Sequence, residues 1–454
     1  MFSKVLVANR GEIAVRIIRA CREYGLGTVA ICSEADRSAL HAQIADETIC
    51  VGPPPSRESY LNIPAILSAC SITGAGAVHP GFGFLSENAS FAKNCAKCGI
   101  TFIGPEPAAI EALGDKARAK QTMRDCGVPV IPGSDGVVFT VNEAEAIARN
   151  IRYPVLIKAS AGGGGRGIRL VREPKELTKA MTDARIEAGQ YFGDDSLYLE
   201  KFIESPKHVE IQVIADIHGN AVHLGERDCS MQRRNQKILE ECPSPSYCMS
   251  PELREKMGNA ALKAVKAANY TNAGTVEFLL DKDGNFYFME MNARIQVEHP
   301  ITEMVTGVDI VKSQLAVAMG EPLPYRQEDI QMRGHAIECR INAETPSKGF
   351  LPCPGTLEAL YLPGGAGIRL DSAVYAGYTI PPYYDSMMAK LIAYGHDRDE
   401  AIAKMKWALA EFVVVGVDTN IDFQLEILRD PVFVSGEYDI GSMSVLLDKI
   451  YPKS

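Results

Sequence analysis

The chain has 454 residues, of which 46% are hydrophobic and 23% charged, with a formal net charge of −10. These are ordinary globular proportions with room for about three domains. The acidic balance excludes a general nucleic-acid or membrane surface, so an anionic substrate must meet local cations. No apolar run reaches the ~18 residues of a membrane span. The opening MFSKVLVAN has no apolar signal core, and the twelve cysteines are scattered rather than arranged as a framework, which points to free thiols in a reducing cytoplasm. Cys95 and Cys98 form a lone CxxC without a second ligand pair, and read as two thiols one helical turn apart rather than a zinc or redox centre.

In chain order, Lys4–Ala8 reads as a buried strand, followed by a helix with Ile13, Ile17 and Ala20 on one face that ends near Gly25. Thr28–Ser33, Ile49–Val51, Ala77–His79 and Thr101–Ile103 continue a strand–helix alternation. Residues 1–114 are therefore expected to form an open, mainly parallel α/β domain. Its first connection, NRGEIA, is not the GxGxxG dinucleotide fingerprint, so NAD is not inferred.

A second region, 115–329, contains Tyr153–Ser160, a glycine run and Gly167–Val171, a strand–loop–strand flap inside a lid of about 131–203. Lys158 precedes Gly162, Gly163, Gly164 and Gly165 by a few residues. Glycines let backbone N–H groups approach a polyphosphate, and a mobile flap closing over a nucleotide excludes water. No GxxxxGK[ST] occurs, so this is not a Walker A loop. The run Arg227–Lys237 holds Arg233, Arg234 and Lys237, a local basic cluster that on its own reads as a solvated loop.

Thr275–Leu280 and Asn285–Met289 read as a hairpin, with Asp283-Gly284 as the turn. A two-residue loop there, or a four-residue one, sets Glu277 opposite Glu290; a three-residue loop loses that pairing. Two carboxylates directly opposite repel unless a cation lies between them. With Asn292 on the same face as a third oxygen, Glu277, Glu290 and Asn292 suit Mg²⁺ bound with nucleotide phosphates. From Glu290 to Glu298 polar residues alternate with apolar ones, as in a strand with one solvated face. The chain either stays extended to Glu298 or bends after Asn292. The third region, 330–454, opens with His335–Asn342, carries proline-glycine turns at 352–355 and 363–367, and ends in a helix with Ile402, Met405 and Leu409. No internal repeat is evident.

The strings ANRGEIAVRI, HPGFGFLSEN, KASAGGGGRGI, RDCSMQRRNQK, EMNARIQVEHPITEMVTG, GHAIECRINAE and PPYYDSM together resemble biotin carboxylase, an ATP-grasp enzyme, in order and over essentially the whole chain. The resemblance implies an N-terminal α/β domain, an ATP-grasp domain with a mobile glycine-rich lid and a C-terminal α+β domain. It implies that bicarbonate and ATP give carboxyphosphate, which carboxylates biotin. Lys116, Lys158, Gly164 and Gly165 would face the phosphates. Glu200, Lys201, Phe202 and Ile203 would form the adenine hinge, with His208 and Asn235 on the nucleotide. Glu277, Glu290 and Asn292 would serve Mg²⁺ or Mn²⁺. Lys237, Arg294, Gln296, Val297 and Arg340 would hold bicarbonate, Glu298 would be the general base, and Arg340 would also bind biotin and stabilise its enolate.

Asn235, Ala293, Phe82 and Ala161 depart from the family pattern, which often has histidine, threonine, tyrosine and a further glycine there; none is an assigned metal ligand or base. Carbamoyl-phosphate synthetase also makes carboxyphosphate but is duplicated and uses ammonia. A purine-pathway carboxylase would leave Arg340 and PPYYDSM without a role. A silent regulatory scaffold would not need the intact metal and base positions. No Ala-Met-Lys-Met biotinylation string occurs; its nearest relative, AKMK at 403–406, reads as ordinary helix surface and core. Biotin is therefore expected in trans on a carrier protein, with separate carboxyltransferase subunits and acetyl-CoA as the commonest acceptor, pyruvate or propionyl-CoA being alternatives. The resemblance further implies a homodimer, with Arg19, Glu23 and Arg369 as candidate interface charges.

Overall fold

The computed structural model describes residues 2–159, 168–192 and 195–452. The N-terminal strands β1 (Lys4–Val7), β2 (Gly27–Ser33), β3 (Glu47–Gly52), β4 (Ala77–His79) and β5 (Thr101–Phe102) form a parallel sheet ordered β3-β2-β1-β4-β5. Helix α1 (Gly11–Glu23) buries Ile13, Ile17, Ile18 and Ala20 against it. Gly25, at φ +77°, follows the helix end, where an L side chain would be strained. This is the expected open parallel α/β arrangement.

Strands β6 (Val155–Ala159), β7 (Ile168–Val171) and β8 (Leu197–Lys201) make a separate antiparallel sheet in the order β7-β6-β8. The helices Val141–Ile151 and Leu177–Phe192 pack on it through Ala144, Ala148, Met181 and Ala184. The expected flap strands are thus present, with Lys158 paired to Ile168. The glycine run, including Gly164, Gly165 and Ala161, lies outside the described residues.

The centre is an eight-stranded antiparallel sheet. Six of its strands are β9 (Lys207–Ala215), β10 (Ala221–Arg233), β11 (Gln236–Cys242), β12 (Asn272–Leu280), β13 (Phe286–Asn292) and β14 (His335–Asn342). They run β13-β12-β9-β10-β11-β14 and continue through Met387–Gly395 to Ile368–Ser372. β11 and β14 are neighbours, so the sheet crosses the position where the sequence suggests a third domain begins. One face is buried by the helix Pro251–Ala267 through Leu253, Met257 and Ala261. The C-terminal core gathers Ile337, Leu391, Met405 and Leu409.

Three details correct or complete the sequence reading. The hairpin loop has three residues, 282–284: Asp281 N–H donates to the Asn285 carbonyl (2.8 Å), and Gly284 sits at φ +80°. Such a loop should lose the Glu277–Glu290 pair. A register shift between Glu277 and Phe278 leaves Met289 unpaired as a bulge, and Glu277 again faces Glu290. Secondly, of the two courses left open after Asn292 the chain takes the bend: β13 ends at Asn292, and Glu298 is the N-cap residue of the helix His299–Thr306. The alternation beyond Asn292 is therefore not a strand's. Ile295 (0% exposed) and Glu298 (2%) are both buried. Thirdly, the helix with Ile402, Met405 and Leu409 (Arg398–Glu411) is not the last. Ile421–Arg429, Pro431–Ser435 and Ser442–Ile450 follow it, each too short to show a long apolar period.

Candidate active site

A cavity of about 910 Å³ opens where the three regions meet. Asn9, Phe82, His208, Lys237, Glu277, Glu290, Asn292, Arg294, Gln296, Val297, Glu298 and Arg340 all line it, so residues read from separate motifs converge. The sheet explains much of this. Lys237 stands at the start of β11 and Arg340 on the adjacent β14, while Glu277 and Glu290 are cross-strand partners on β12 and β13.

Lys237 is the hub. Its Nζ lies 2.6 Å from Glu210 Oε2, 2.6 Å from Glu298 Oε1 and 3.1 Å from Glu277 Oε1. Burial alone would pull this lysine down, but the surrounding negative groups outweigh it and hold the ammonium well above its usual range. The other oxygen of Glu298 accepts from Arg340 Nη2 at 3.0 Å. Burial of Glu298 would raise it, yet Lys237, Arg340 and Arg227 win and keep its carboxylate well below the ordinary range. Arg340 Nε also donates to Glu240 (2.7 Å). Burial, aided by the charge of Glu298, pushes Glu240 up despite Arg340.

The candidate metal ligands all line this wall, with the Asn292 oxygen accepting from Arg294 Nη2 at 2.9 Å. Asn292 Nδ2 donates to Glu277 Oε1 at 2.9 Å, and Gln296 Nε2 reaches the same oxygen at 2.8 Å. Glu290 is half-exposed and pairs with the exposed Lys116 at 3.1 Å. His208 Nε2 lies 3.0 Å from Glu277 Oε2; burial would lower its pKa, but the hydrogen bond and charge of Glu277 outweigh that and raise it. Glu277, Glu290 and Asn292 are hard oxygen donors on one rim of the cavity. That donor set fits Mg²⁺ or Mn²⁺ better than a soft-ligand metal.

In the lid, the side chain of Glu200 is gripped between Lys158 and Lys120. Lys201 turns its ammonium away, to the carbonyls of Arg152 (3.0 Å) and Tyr153 (3.1 Å). Its N–H and that of Phe202 donate to the Pro132 and Pro154 carbonyls, and Ile203 is buried. Asn235 lines the cavity in a two-residue turn between Arg233 and Gln236. Arg234 and Asn235 have φ of +50° and +64°, the left-handed conformation that asparagine tolerates well.

Sequence reasoning missed several residues. Glu87, inside HPGFGFLSEN, accepts from the Ala293 N–H and from Arg294 Nε, both at 2.9 Å, and so fixes the bend after β13. Arg227, fully buried, gives its donors to Glu210, Gln212, Thr302, Thr275 and Gln296. Lys120 had no neighbouring motif to betray it. Glu210 was visible only as one polar residue in a strand that is buried throughout. Cys95 is buried and Cys98 exposed, both free, and neither belongs to a metal-competent cluster among the described residues. Arg19, Glu23 and Arg369 border one shallow depression with Arg16 and Glu303.

Family models of the biotin carboxylase N-terminal domain, the carbamoyl-phosphate synthase L chain ATP-binding domain and the biotin carboxylase C-terminal domain match residues 1–110, 115–326 and 338–444. The chain is 57% identical over 440 residues to biotin carboxylase 1 of Bacillus subtilis, covering 97% of each. It belongs to the biotin carboxylase family. As a biotin carboxylase it is an ATP-dependent carboxylating ligase, the subunit type that serves a biotin-dependent carboxylase. A pyruvate carboxylase subunit of Methanothermobacter thermautotrophicus is 55% identical over 437 residues, 96% of this chain and 88% of that one. A crystal structure of the biotin carboxylase domain dimer of Hydrogenobacter thermophilus 2-oxoglutarate carboxylase, in complex with MgADP, ADP and bicarbonate, superposes with a TM-score of 0.88. It is 52% identical and covers 100% of this chain and 99% of that one. The ATP-binding model is shared with carbamoyl-phosphate synthase; the flanking domains decide between the two.

Proposed function

We propose that the cavity carboxylates biotin carried on a separate protein, through carboxyphosphate, and that Glu298 is the base. The observation that supports this most directly is the chain of contacts Lys237–Glu298–Arg340, a carboxylate between two cations that a small anion could share. Bicarbonate set against Lys237, Arg294, Gln296 and the Val297 amide would share the cations that Glu298 holds in this arrangement. Drawing that charge away makes Glu298 more basic as the substrate docks. Glu298 then takes the bicarbonate proton, the freed oxygen attacks the γ-phosphorus of ATP and ADP departs, leaving carboxyphosphate, whose carboxyl passes to N1′ of biotin as phosphate is released. Lys116, Lys158 and the Gly164–Gly165 amides would bind the phosphates, with Glu200–Ile203, His208 and Asn235 at the nucleotide. Mg²⁺ or Mn²⁺ held by Glu277, Glu290 and Asn292 would supply charge neutralisation on the phosphates. Arg340 would bind the biotin ureido oxygen and stabilise its enolate, with Glu240 bracing the guanidinium from behind.

Acetyl-CoA is the acceptor we favour, as the commonest one for a subunit of this family. The pyruvate carboxylase relative, at nearly the same identity, supports pyruvate as the second reading. Partners would be a biotin carboxyl carrier and carboxyltransferase subunits, with a homodimer formed about Arg19, Glu23 and Arg369. The twelve free cysteines support a cytoplasmic setting. No described helix is long and apolar enough to cross a membrane. ATP hydrolysis with bicarbonate, measured with and without free biotin, tests the proposal. Hydrolysis indifferent to biotin, or dependent on ammonia, refutes it. Reconstitution with carrier and carboxyltransferase, offering each acceptor in turn, decides between acetyl-CoA and pyruvate.

A further inference from the structure

Lys390 belongs to none of the motifs above. It sits on the strand Met387–Gly395, opposite Arg340 in the ladder, and is completely buried. Its Nζ donates to the Val297 carbonyl oxygen at 2.7 Å, lies 3.3 Å from Glu12 Oε2 and 3.9 Å from Asp371 Oδ2. Glu12 comes from the first turn of α1, Val297 from the bend that leads to Glu298, and Lys390 from the C-terminal part of the sheet. Three stretches distant in sequence thus meet at one ammonium directly behind the wall of the cavity.

This is a costly contact. Burying a charge loses several kcal/mol of hydration unless geometry and extra hydrogen bonds compensate. The compensation here is thin: among the described residues the Glu12 carboxylate finds no hydrogen-bond partner beyond its contact with Lys390, and burial pushes it up to about 7 against the lysine's pull. The shortest bond of Lys390 goes to a backbone carbonyl instead. That carbonyl belongs to the peptide joining Val297 to Glu298, so capturing it restrains the ψ of Val297 and the φ of Glu298. A second brace holds the same bend, His299 Nδ1 to the Gln296 carbonyl at 2.7 Å. Lys237 and Arg340 grip the Glu298 carboxylate from the cavity side, and Lys390 grips its backbone from the opposite side.

We propose that Lys390 is a positioning residue for carboxylation, fixing the Val297–Glu298 peptide so that the carboxylate and the Val297 amide face bicarbonate together, with Glu12 as its counter-charge. This rests on the assignment of Glu298 as base, so the unaltered protein must first be shown to carboxylate free biotin; its failure to do so would refute that assignment and not the inference.

The variants are Lys390→Met, close in shape but without a donor, and the double variant Lys390→Met with Glu12→Gln, which also removes the carboxylate that contacts the lysine. Both are read per folded molecule, using nucleotide-binding stoichiometry to count active sites. The expected result is a loss of about 100-fold in kcat/KM for bicarbonate, the scale of a misplacement of about 1 Å, with nucleotide affinity held within about three-fold. A structural role alone would lower the yield of folded protein without separating the two readouts. Bicarbonate kinetics within three-fold of the parent overturn the inference, as does a matching loss of nucleotide affinity. Failure of both variants to fold overturns it as well, because the lysine would then serve the fold rather than the site.

Discussion

Replacing Glu298 by glutamine keeps the shape and one acceptor oxygen but removes the charge. The fold should survive: Lys237 retains Glu210 and Glu277, and Arg340 retains Glu240. With one acceptor oxygen kept, about 2 kcal/mol of stability is expected to go, the scale of a single bond to a charged group. Turnover should suffer more. A positioned general base contributes about 10²–10⁴-fold, or about 3–5 kcal/mol at the transition state. Transfer of labelled bicarbonate to biotin measures the loss, and calorimetric titration of nucleotide, expected to be unchanged, guards against a general defect. The pH profile adds a signed test. Because Glu298 is held well below the ordinary carboxylate range, it stays ionised as pH falls through that range. Any acid limb in kcat/KM near the usual carboxylate pKa must come from another group. Turnover of the glutamine variant within ten-fold of the parent would refute the base assignment.

Glu241 is buried against His335, Arg398 and Tyr438, with Arg398 Nε at 2.7 Å and His335 Nε2 at 2.6 Å. Burial opposes ionisation, but these partners bring it from 4.5 down to about 2. It therefore contributes about 3 kcal/mol above pH ~4.5, lost as pH falls towards ~2. Denaturant unfolding from pH 7 to 3 should show Glu241→Gln less stable at neutral pH and flatter in acid; parallel curves would contradict this. Glu87→Gln loosens Arg294 and should raise KM for bicarbonate about five-fold, since one partly exposed charge-assisted contact is worth ~1 kcal/mol, leaving nucleotide affinity alone. Glu290→Gln should raise the Mg²⁺ concentration for half-maximal rate at least about ten-fold; an unchanged metal titration would remove Glu290 from the ligand set.

The N-terminal parallel sheet was legible because each strand is short, apolar and set off by a turn. The hairpin was legible only in outcome. Asp283-Gly284 gave the turn's place, but Asp281 accepts from the Asp283 and Asn285 N–H groups at 2.9 and 2.8 Å and widens the loop by one residue. The bulge at Met289 then takes that residue back. Nothing local distinguishes such a bulge from a regular strand position. The alternation at 290–298 could not decide the course beyond Asn292, because its period matches a strand while Glu87, some two hundred positions earlier, holds the chain in a bend. Lys390, Arg227 and Lys120 received no role for one reason: their partners are remote in sequence, so neither the strand positions of Lys390 and Arg227 nor the helical position of Lys120 carries a local signal.

The eight-stranded sheet has a consequence for anyone wishing to take the molecule apart. β11 and β14 are hydrogen-bonded neighbours that lie on opposite sides of the stretch near residue 330. Proteolytic cleavage there followed by separation, or expression of residues 330–454 alone, would expose two unpaired strand edges and the apolar faces beside them, inviting aggregation rather than giving two soluble halves. The three-stranded lid sheet is different: its pairings close on themselves through β6, and among the described residues a single isolated bridge, Val130 to Phe288, ties its approach to the central sheet. Grafting or swapping between relatives should therefore treat the lid as one exchangeable piece and everything built on the central sheet as another.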